Sequence, residues 1–329
     1  MTASILVYVG TDAVGDGLIK LPFVRALRAA YPDARITWVA GKGGSVYAGI
    51  LAPLVTGLID EVIDHAGIGS RPVELLSRPL GGRGFDLILD TQRRGLTTLI
   101  LKRIRHRRFI SAAAGYCFSD VRPAETAKPL SMAAQLARLV ELASGRPPGK
   151  TAPLPIDPAI EAEADRLLPP GPRYVGFAPG AGGRHKCWPL DRYLAVAAEM
   201  ANEGMVPVIL LGPAESDDWA GSIRAALPAA RLPLQETDRP TPMLTIALGR
   251  RLAAAVANDS GTGHMLAAAD IPLLSLFGPT PADKFAPVTA KPFVLQAQDF
   301  GAAAMEAIPV VAVTQALRRA LVDNTQVCF

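Results

Sequence analysis

Short apolar runs alternate with stretches of helical periodicity along this chain. Residues 5–9 form a β-branched apolar run, and residues 35–40 form a second run that is mostly apolar and typical of a strand. Between the two runs, apolar residues recur at helical spacing at Leu18, Leu21, Val24 and Leu27. This β-α-β order predicts a parallel sheet covered by helices, which is an α/β fold.

The same alternation continues towards the end of the chain. We expect further strands at residues 85–90, 174–178, 206–211, 253–257 and 272–277, and helices at 131–144, 189–203, 263–269 and 313–322. The stretch from Gly145 to Pro158 is rich in Pro and Gly, which is typical of a linker. We therefore divide the chain into two domains, residues 1–150 and residues 151–329.

Composition and charge narrow the class of protein. The 329 residues are 50% hydrophobic and 19% charged, with three cysteines, which excludes a disordered chain and a disulfide-stapled mini-domain. No apolar run approaches the roughly 20 residues that span a bilayer, and the amino terminus has no basic leader, so we expect a cytoplasmic protein. Residues 1–150 carry 20 Lys and Arg against 12 Asp and Glu, whereas residues 151–329 carry 14 against 18. This asymmetry indicates different partners for the two halves.

The first candidate site is the loop at residues 10–17. Ligands of such α/β folds bind beyond the carboxyl ends of the parallel strands, so the loops that follow the strands are searched first. Here Asp16 lies between two glycines at a strand-to-helix junction. The carboxylate is either a general base for a hydroxyl or the N-cap of the next helix. The glycine spacing does not fit the GxGxxG dinucleotide fingerprint.

The loop at residues 178–189 combines glycines with cations. Gly180 and two further glycines precede the run Arg184-His185-Lys186. Backbone N–H groups with a nearby lysine suit an anionic phosphate group, although a solvated surface loop has the same composition. The GxxxxGK[ST] spacing is missing, so the loop predicts a phosphate site without indicating an ATPase.

Two later loops add candidate contacts for a nucleotide. Glu215 follows a predicted strand, where an acid binds ribose hydroxyls or simply begins a helix in solvent. Residues 258–264 precede an Ala-rich helix, whose first N–H groups favour an anion. A lone histidine such as His264 is more often structural than catalytic. Together with the Lys186 loop, this segment predicts a bipartite pyrophosphate site.

A basic run at residues 102–108 lies in the first half of the chain, beyond Arg93 and Arg94. It is compatible with nucleic-acid binding, with a solvated helix end, and with contact to an anionic acceptor or an anionic membrane face. Aromatic residues make up 6% of the chain, and none interleaves with the run. The composition therefore argues against a nucleic-acid partner.

Four segments of the chain carry short sequence motifs, which follow one another in a fixed order. They are Gly15-Asp16 with Pro22, residues 86–90 with Gln92, residues 179–189 (PGA…KCWP), and residues 259–280 (DSG…H…P…FGPT). Together they resemble the GD…P, DLxIDxQ, PGA…KxWP and DTG…H…P…FGPT segments of the bacterial heptosyltransferase family of lipopolysaccharide synthesis, glycosyltransferase family nine. The resemblance runs from residue 5 to about residue 322, and its specificity comes from the ordered set rather than from any single piece.

The resemblance implies a GT-B fold, in which two Rossmann-like domains face each other across a cleft and the final helix packs back on the first domain. The first domain would bind the acceptor and the second the nucleotide-sugar donor. The implied reaction is inverting transfer of a sugar, typically heptose from ADP-heptose, to lipopolysaccharide core or a related cell-surface glycan. It implies no metal ion and no cofactor besides the donor. An anionic glycolipid acceptor would also imply peripheral contact with the inner membrane.

The resemblance also implies roles for single residues. Asp16 would take the proton from the acceptor hydroxyl, and Lys186 would neutralise the leaving diphosphate. Glu215 would bind the ribose and Asp259 the sugar. The other expected donor contacts are Gly180, Arg184, Ser260, Gly261, Thr262, Gly263 and His264. The expected acceptor contacts are Gln92, Arg93, Arg94, Arg105 and Arg107.

The sequence departs from the family pattern in the donor half. Ser260 stands where the family has Thr, and Thr262 stands where Pro is common. Because these positions adjoin the expected phosphate and sugar contacts, two alternatives stay open. One is a GT-B transferase that uses another nucleotide sugar, and the other is a non-catalytic relative that binds a nucleotide sugar.

Overall fold

The chain forms two compact units, residues 1–152 and residues 153–329. The computed structural model describes residues 3–125, 127–149, 152–289 and 291–325. Residues 150 and 151, where the sequence places the domain boundary, lie outside these ranges. Each unit has its own parallel sheet, so the expected α/β class is confirmed.

The first unit is built on a sheet that has five strands within the described residues, in the order β3-β2-β1-β4-β5. The strands are β1 (Ser4–Val9), β2 (Arg35–Ala40), β3 (Glu61–Ile63), β4 (Gly84–Asp90) and β5 (Arg105–Ser111). The α-helices are α1 (Val14–Ala30), α2 (Gly95–Leu101) and α3 (Met132–Ser144). All strand pairs are parallel. The strand order reverses between β1 and β4, and a crevice forms beyond the carboxyl ends of strands at such a reversal.

The second unit repeats this plan, again with five strands in the part that the structure describes, in the order β10-β9-β8-β6-β7. The strands are β6 (Tyr174–Ala178), β7 (Val206–Ile209), β8 (Leu252–Asn258), β9 (Leu273–Phe277) and β10 (Pro292–Gln296). The α-helices are α4 (Pro158–Leu167), α5 (Leu190–Asn202), α6 (Pro213–Ala226), α7 (Pro242–Gly249), α8 (Gly261–Ala268), α9 (Ala282–Phe285) and α10 (Val310–Thr325). Here the strand order reverses between β6 and β8.

The final helix α10 belongs to the core of the second unit. Its residues Val313, Leu317 and Leu321 are buried together with the apolar residues of β6, β8 and β9. The apolar face that these side chains form on α10 therefore packs on the sheet of its own unit. The expectation that the final helix packs back on the first domain stays a prediction.

Strand β5 shows where the hydrophobic pattern is insufficient. Its first four residues are Arg-His-Arg-Arg, and only Phe109–Ser111 at its carboxyl end are buried. An edge strand needs little apolar surface at its exposed end and often carries charge there. The basic run at residues 102–108 thus begins at Lys102, the C-cap of α2, and continues through a turn into an edge strand. Strands β3 and β10 were also missed, and they too lie at sheet edges.

None of the helices in the described ranges is long and apolar enough to cross a membrane.

Asp90, the last residue of β4, is a buried acid at the crevice of the first sheet. Its carboxylate accepts hydrogen bonds from the Thr98 hydroxyl (2.6 Å), the Ser111 hydroxyl (2.8 Å) and the Gln92 N–H (2.8 Å). Burial raises the pKa of Asp90 to about 6, although these hydrogen bonds act to lower it. The carboxylate links β4, α2, β5 and the loop that starts at residue 91.

This shift predicts a pH dependence of stability. The unfolded carboxyl titrates near 4, so the folded state binds the proton more tightly and loses stability as the pH rises from about 4 to 6. Asp90→Asn should remove about 2 to 3 kcal/mol of this pH dependence. The measurement is the free energy of unfolding of wild type and variant by urea at pH 4, 5, 6 and 7. Parallel curves for the two proteins would contradict the assignment.

Candidate functional site

The loops beyond β6 and β8 meet at the strand-order reversal of the second sheet, and Asn258 joins them. The Asn258 amide nitrogen donates to the Pro179 carbonyl (2.7 Å), and its oxygen accepts from the Trp188 N–H (3.1 Å) and the Tyr193 hydroxyl (3.0 Å). Asn258 is buried, so both polar atoms of its amide are satisfied inside the protein. One side chain therefore holds both ends of the loop that carries Lys186.

Trp188 secures the same loop on its other side. Its indole is fully buried, donates to the Ile308 carbonyl (2.9 Å) and stands edge-on against the Tyr193 ring at 5.1 Å. The KCWP segment thus ends in an aromatic anchor, which leaves the cations before it at the surface.

Lys186 reaches the carboxyl end of β8. Its ammonium lies 3.0 Å from Asp259 Oδ2, and the two side chains are 32% and 13% exposed. Asp259 itself is held by its N–H, which donates to the Leu276 carbonyl of β9. The structure therefore brings together two residues that are 73 positions apart, in a partly open ion pair at the crevice.

The start of α8 lies directly beside this ion pair. Ser260 is the N-cap, and its hydroxyl accepts from the Gly263 N–H at 3.2 Å. The N–H groups of Gly261 and Thr262 lie in the first turn, where no carbonyl of the helix can accept them. Such a helix start favours an anion. A Cβ at Gly263 would lie 3.0 Å from the Asn258 carbonyl, so a larger residue would disturb the turn.

His264 is a neutral member of this group. It is buried, and burial lowers its pKa to about 4 against the opposing influence of Asp259. Near neutral pH its ring carries no charge. The positive charge beside Asp259 comes from Lys186.

Glu215 lies in the first turn of α6, beyond the end of β7, and is buried. Its carboxylate is packed against two glycines, because a Cβ at Gly180 or at Gly212 would approach it to within 2.6 or 2.8 Å. The absence of side chains at both positions is what gives the carboxylate room. Glu215 and Gly180 are thus neighbours.

Arg184 is placed differently from Lys186. Its guanidinium lies 2.6 Å from Asp218 Oδ2 and 4.7 Å from the centre of the Trp219 ring, both on α6. Both charged side chains are more than half exposed, and such surface pairs contribute little to stability. The loop therefore directs one cation towards β8 and the other towards α6.

In the first unit, the loop beyond β1 is shorter than predicted. Helix α1 begins at Val14, and its N-cap is Ala13, which corrects the interpretation of Asp16 as the N-cap residue. Asp16 lies in the first turn, and its Oδ2 accepts from the Ala13 N–H at 3.4 Å. Its side chain is exposed, so it is open to a ligand.

Asp12 is the buried acid of this loop, and sequence reasoning missed it. Its side chain pairs with the Lys20 ammonium and accepts from Trp38 Nε1 (3.0 Å) and the Ser45 hydroxyl (3.1 Å). These contacts hold the loop between β2 and α1. A signal was present, since Lys20 interrupts the apolar face of α1 next to Leu21. A shallow cavity of about 450 Å³ opens here, lined by Thr11, Asp12, Ala13, Gly44, Ser45, Val46 and Ile50.

The loop beyond β4 faces the loop beyond β1. A Cβ at Gly10 would lie 3.3 Å from Gln92 Oε1, so the Gln92 side chain covers this glycine. The Arg93 Nη1 atom is buried and has no hydrogen-bond partner within the described part of the chain. Arg94 is exposed. Gln92 and Arg93 thus lie at the same crevice as the start of the loop that leads to Asp16.

Arg105 and Arg107 lie at the other end of this sheet. Arg105 begins β5 and pairs with Gly84, the first residue of β4, while Arg107 forms an ion pair with Asp86 at 3.3 Å. Since the strands are parallel and rise about 3.3 Å per residue, Arg105 is about 20 Å from the carboxyl end of β5. The structure does not bring these two arginines together with Gln92 and Arg93.

No group of three or more His, Cys, Asp or Glu side chains in the described ranges could hold a metal ion.

Comparison with known proteins gives a consistent result. The model of "Glycosyltransferase family 9 (heptosyltransferase)" matches residues 73–307. Lipopolysaccharide heptosyltransferase 2 of Salmonella typhimurium is 35% identical over 128 residues, and this match spans 37% of the chain but only 36% of the relative's length. Lipooligosaccharide heptosyltransferase 2 of Haemophilus influenzae is 25% identical over 319 residues, 88% of each chain.

A solved structure extends the similarity to the fold. The ADP-heptose lipopolysaccharide heptosyltransferase II of Escherichia coli superposes with a TM-score of 0.67 at 24% identity, covering 99% of this chain and all of that one. The family model covers well over half of the chain, and the likeness in fold extends over nearly all of it. The chain therefore belongs to glycosyltransferase family 9, the heptosyltransferase family.

Proposed function

We propose that this protein is a GT-B glycosyltransferase that moves heptose from ADP-heptose, with inversion, to lipopolysaccharide core or a related anionic glycolipid. The observation that carries the proposal is the cluster at the reversal of the second sheet. There Lys186, Asp259 and the start of α8 adjoin one another. Glu215 of α6 lies beside Gly180, which belongs to the same loop as Lys186. The name of the Escherichia coli relative, which includes ADP-heptose, supports this choice of donor.

The second unit supplies the donor site in this proposal. The diphosphate oxygens accept hydrogen bonds from the N–H groups in the first turn of α8 and from the Lys186 ammonium. To make this contact, Lys186 leaves Asp259 and pairs with a phosphate oxygen. Glu215 accepts the ribose hydroxyls, and Asp259, once released, faces the sugar. Positive charge and N–H dipoles at the departing ADP stabilise charge that grows in the transition state.

Arg184 requires a rearrangement to act on the same diphosphate. It would have to leave Asp218 and the Trp219 ring, which is a small cost because the ion pair is largely exposed. We therefore assign the main leaving-group role to Lys186 and a subsidiary one to Arg184.

In this proposal the first unit binds the acceptor and supplies the general base. The acceptor oxygen attacks the anomeric carbon as the bond between that carbon and the phosphate oxygen breaks. The proton of the acceptor hydroxyl passes to the exposed Asp16 carboxylate, and ADP leaves. Arg93 supports an anionic acceptor, since its buried Nη1 has no hydrogen-bond partner among the described residues. Gln92 and Arg94 complete this acceptor set.

Contacts of Arg105 and Arg107 with the acceptor stay a separate prediction. Both side chains are exposed, but they lie at the amino ends of the strands. They would meet a part of the acceptor remote from the reacting hydroxyl.

The donor class is tested directly by calorimetry with ADP, UDP and GDP, followed by mass spectrometry of acceptor extracts incubated with ADP-heptose. Tighter binding of ADP with a mass increase of one heptose supports the proposal. Preference for UDP or GDP would favour a transferase with another nucleotide sugar. Nucleotide binding without transfer to any acceptor would favour a non-catalytic binding protein.

Lys186→Ala should weaken ADP binding about tenfold or more, because a charge-assisted hydrogen bond contributes about 1.5–3 kcal/mol. The uncovered Asp259 carboxylate would add repulsion to the phosphate. Titration calorimetry measures the effect, with Arg224→Ala as the control because Arg224 is exposed near the end of α6. Unchanged ADP affinity in Lys186→Ala would remove this lysine from the donor site.

Asp16→Asn should lower the rate of transfer about 100-fold or more, because general-base catalysis contributes at least this much, while ADP affinity stays the same. The asparagine oxygen can still accept the Ala13 N–H, so the start of α1 is preserved. Single-turnover transfer is compared with that of Asp33→Asn, which changes an exposed acid beyond the end of the same helix. Equal turnover of wild type and Asp16→Asn would show that another group is the base.

A further inference from the structure

Four exposed apolar side chains, the apolar patch, lie on two short elements of the first unit that contact each other. They are Val73 and Leu76, 62% and 85% exposed, and Leu96 and Leu99, 37% and 40% exposed. Val73 and Leu76 lie three residues apart on a 3₁₀ helix (Pro72–Leu76), where this spacing puts side chains on one face. Leu96 and Leu99 have the same spacing on α2, and α2 contacts the 3₁₀ helix.

The backbone beneath this apolar patch is firmly held. The buried Glu74 carboxylate accepts the N–H groups of Gly69 (2.6 Å), Ser70 (3.3 Å) and Arg71 (2.7 Å). Although burial acts in the opposite direction, these bonds lower the pKa of Glu74 below its usual value. The Thr97 hydroxyl of α2 donates to the Gly69 carbonyl at 2.8 Å. The apolar side chains are therefore presented by ordered elements.

The charge in the segment that carries the apolar patch is mostly positive. Residues 66–103 contain seven Lys and Arg but three acids. Three of the seven cations, Arg71, Arg83 and Lys102, form ion pairs with Glu74, Glu61 and Asp120. Two of the three acids, Glu74 and Asp90, are buried, and Asp86 is bound to Ser4 near the amino end of β4. Arg71 and Arg78, which flank the 3₁₀ helix, are exposed. The exposed charge at this surface is thus positive.

We propose that the apolar patch, with Arg71 and Arg78, docks the protein on an anionic lipid bilayer. Exposed aliphatic side chains beside arginines match the acyl and headgroup layers of such a surface, and binding grows with both the apolar area and the anionic charge. A protein partner would have to supply an acidic apolar surface, and a second copy of the same basic face would be repelled. Charge complementarity therefore favours the bilayer.

This docking surface differs from the basic run that the sequence singled out. Arg105 and Arg107 lie on the exposed half of β5, without a cluster of exposed apolar residues in their run. They provide a matched control of equal charge. The inference depends on the surface itself and not on the proposed reaction, so vesicle binding is measured without donor or acceptor.

The test is co-sedimentation of the full chain with vesicles of phosphatidylglycerol and phosphatidylethanolamine, and with vesicles of phosphatidylcholine alone. Wild type should bind the anionic vesicles more tightly and lose binding at high salt. Val73→Asp/Leu76→Asp should lower the partition coefficient about tenfold or more, because it removes apolar area and adds negative charge. Val311→Asp is the control, since Val311 is 60% exposed on α10 of the second unit.

Charge is tested separately by Arg71→Gln/Arg78→Gln against Arg105→Gln/Arg107→Gln. The first pair should lose about 25-fold of anionic-vesicle binding, because each arginine contributes about fivefold. The second pair should bind as wild type. Thermal melting of every variant checks the fold. The proposal is overturned if wild type fails to bind anionic vesicles, if both arginine pairs lose equally, or if light scattering shows a dimer that Val73→Asp/Leu76→Asp dissociates.

Discussion

The candidate donor site depends on the hydrogen bonds of one buried amide. Asn258 ends β8 and binds both ends of the loop that follows β6. Without it, the Pro179 carbonyl and the Trp188 N–H would be buried without these partners, and each such group is costly. Because the loop is held at both ends, the position of Lys186 relative to Asp259 is decided by the sheet rather than by the loop.

Strand order explains why the candidate residues gather where they do. In each sheet the order reverses once, between β1 and β4 and between β6 and β8. Loops beyond strands at such a reversal run in opposite directions and leave space between them. The acidic and polar residues of the first unit and the charged residues of the second lie at these two places, although they are far apart in sequence.

Much of this arrangement could be predicted from the sequence, and the exceptions have physical reasons. The strands at 35–40 and 174–178 were predicted to the residue, because most of their residues are apolar and buried, as is typical of parallel strands. β5 was missed because an edge strand tolerates four basic residues. Asn258 and Asp12 were missed as anchors because their role depends on partners brought close only by folding. Lys186 and Asp259 were each proposed, but no spacing in the sequence could show that they touch.

The ion pair of Lys186 and Asp259 has a consequence for how an anion would enter. In the free protein the ammonium already has a carboxylate partner and a defined position. A diphosphate that took its place would exchange one anion for another, without having to order the lysine side chain, which costs about 1.5–2 kcal/mol when it starts from free rotation. The measured affinity would then report the difference between two ion pairs, and the displaced carboxylate would be available for the sugar.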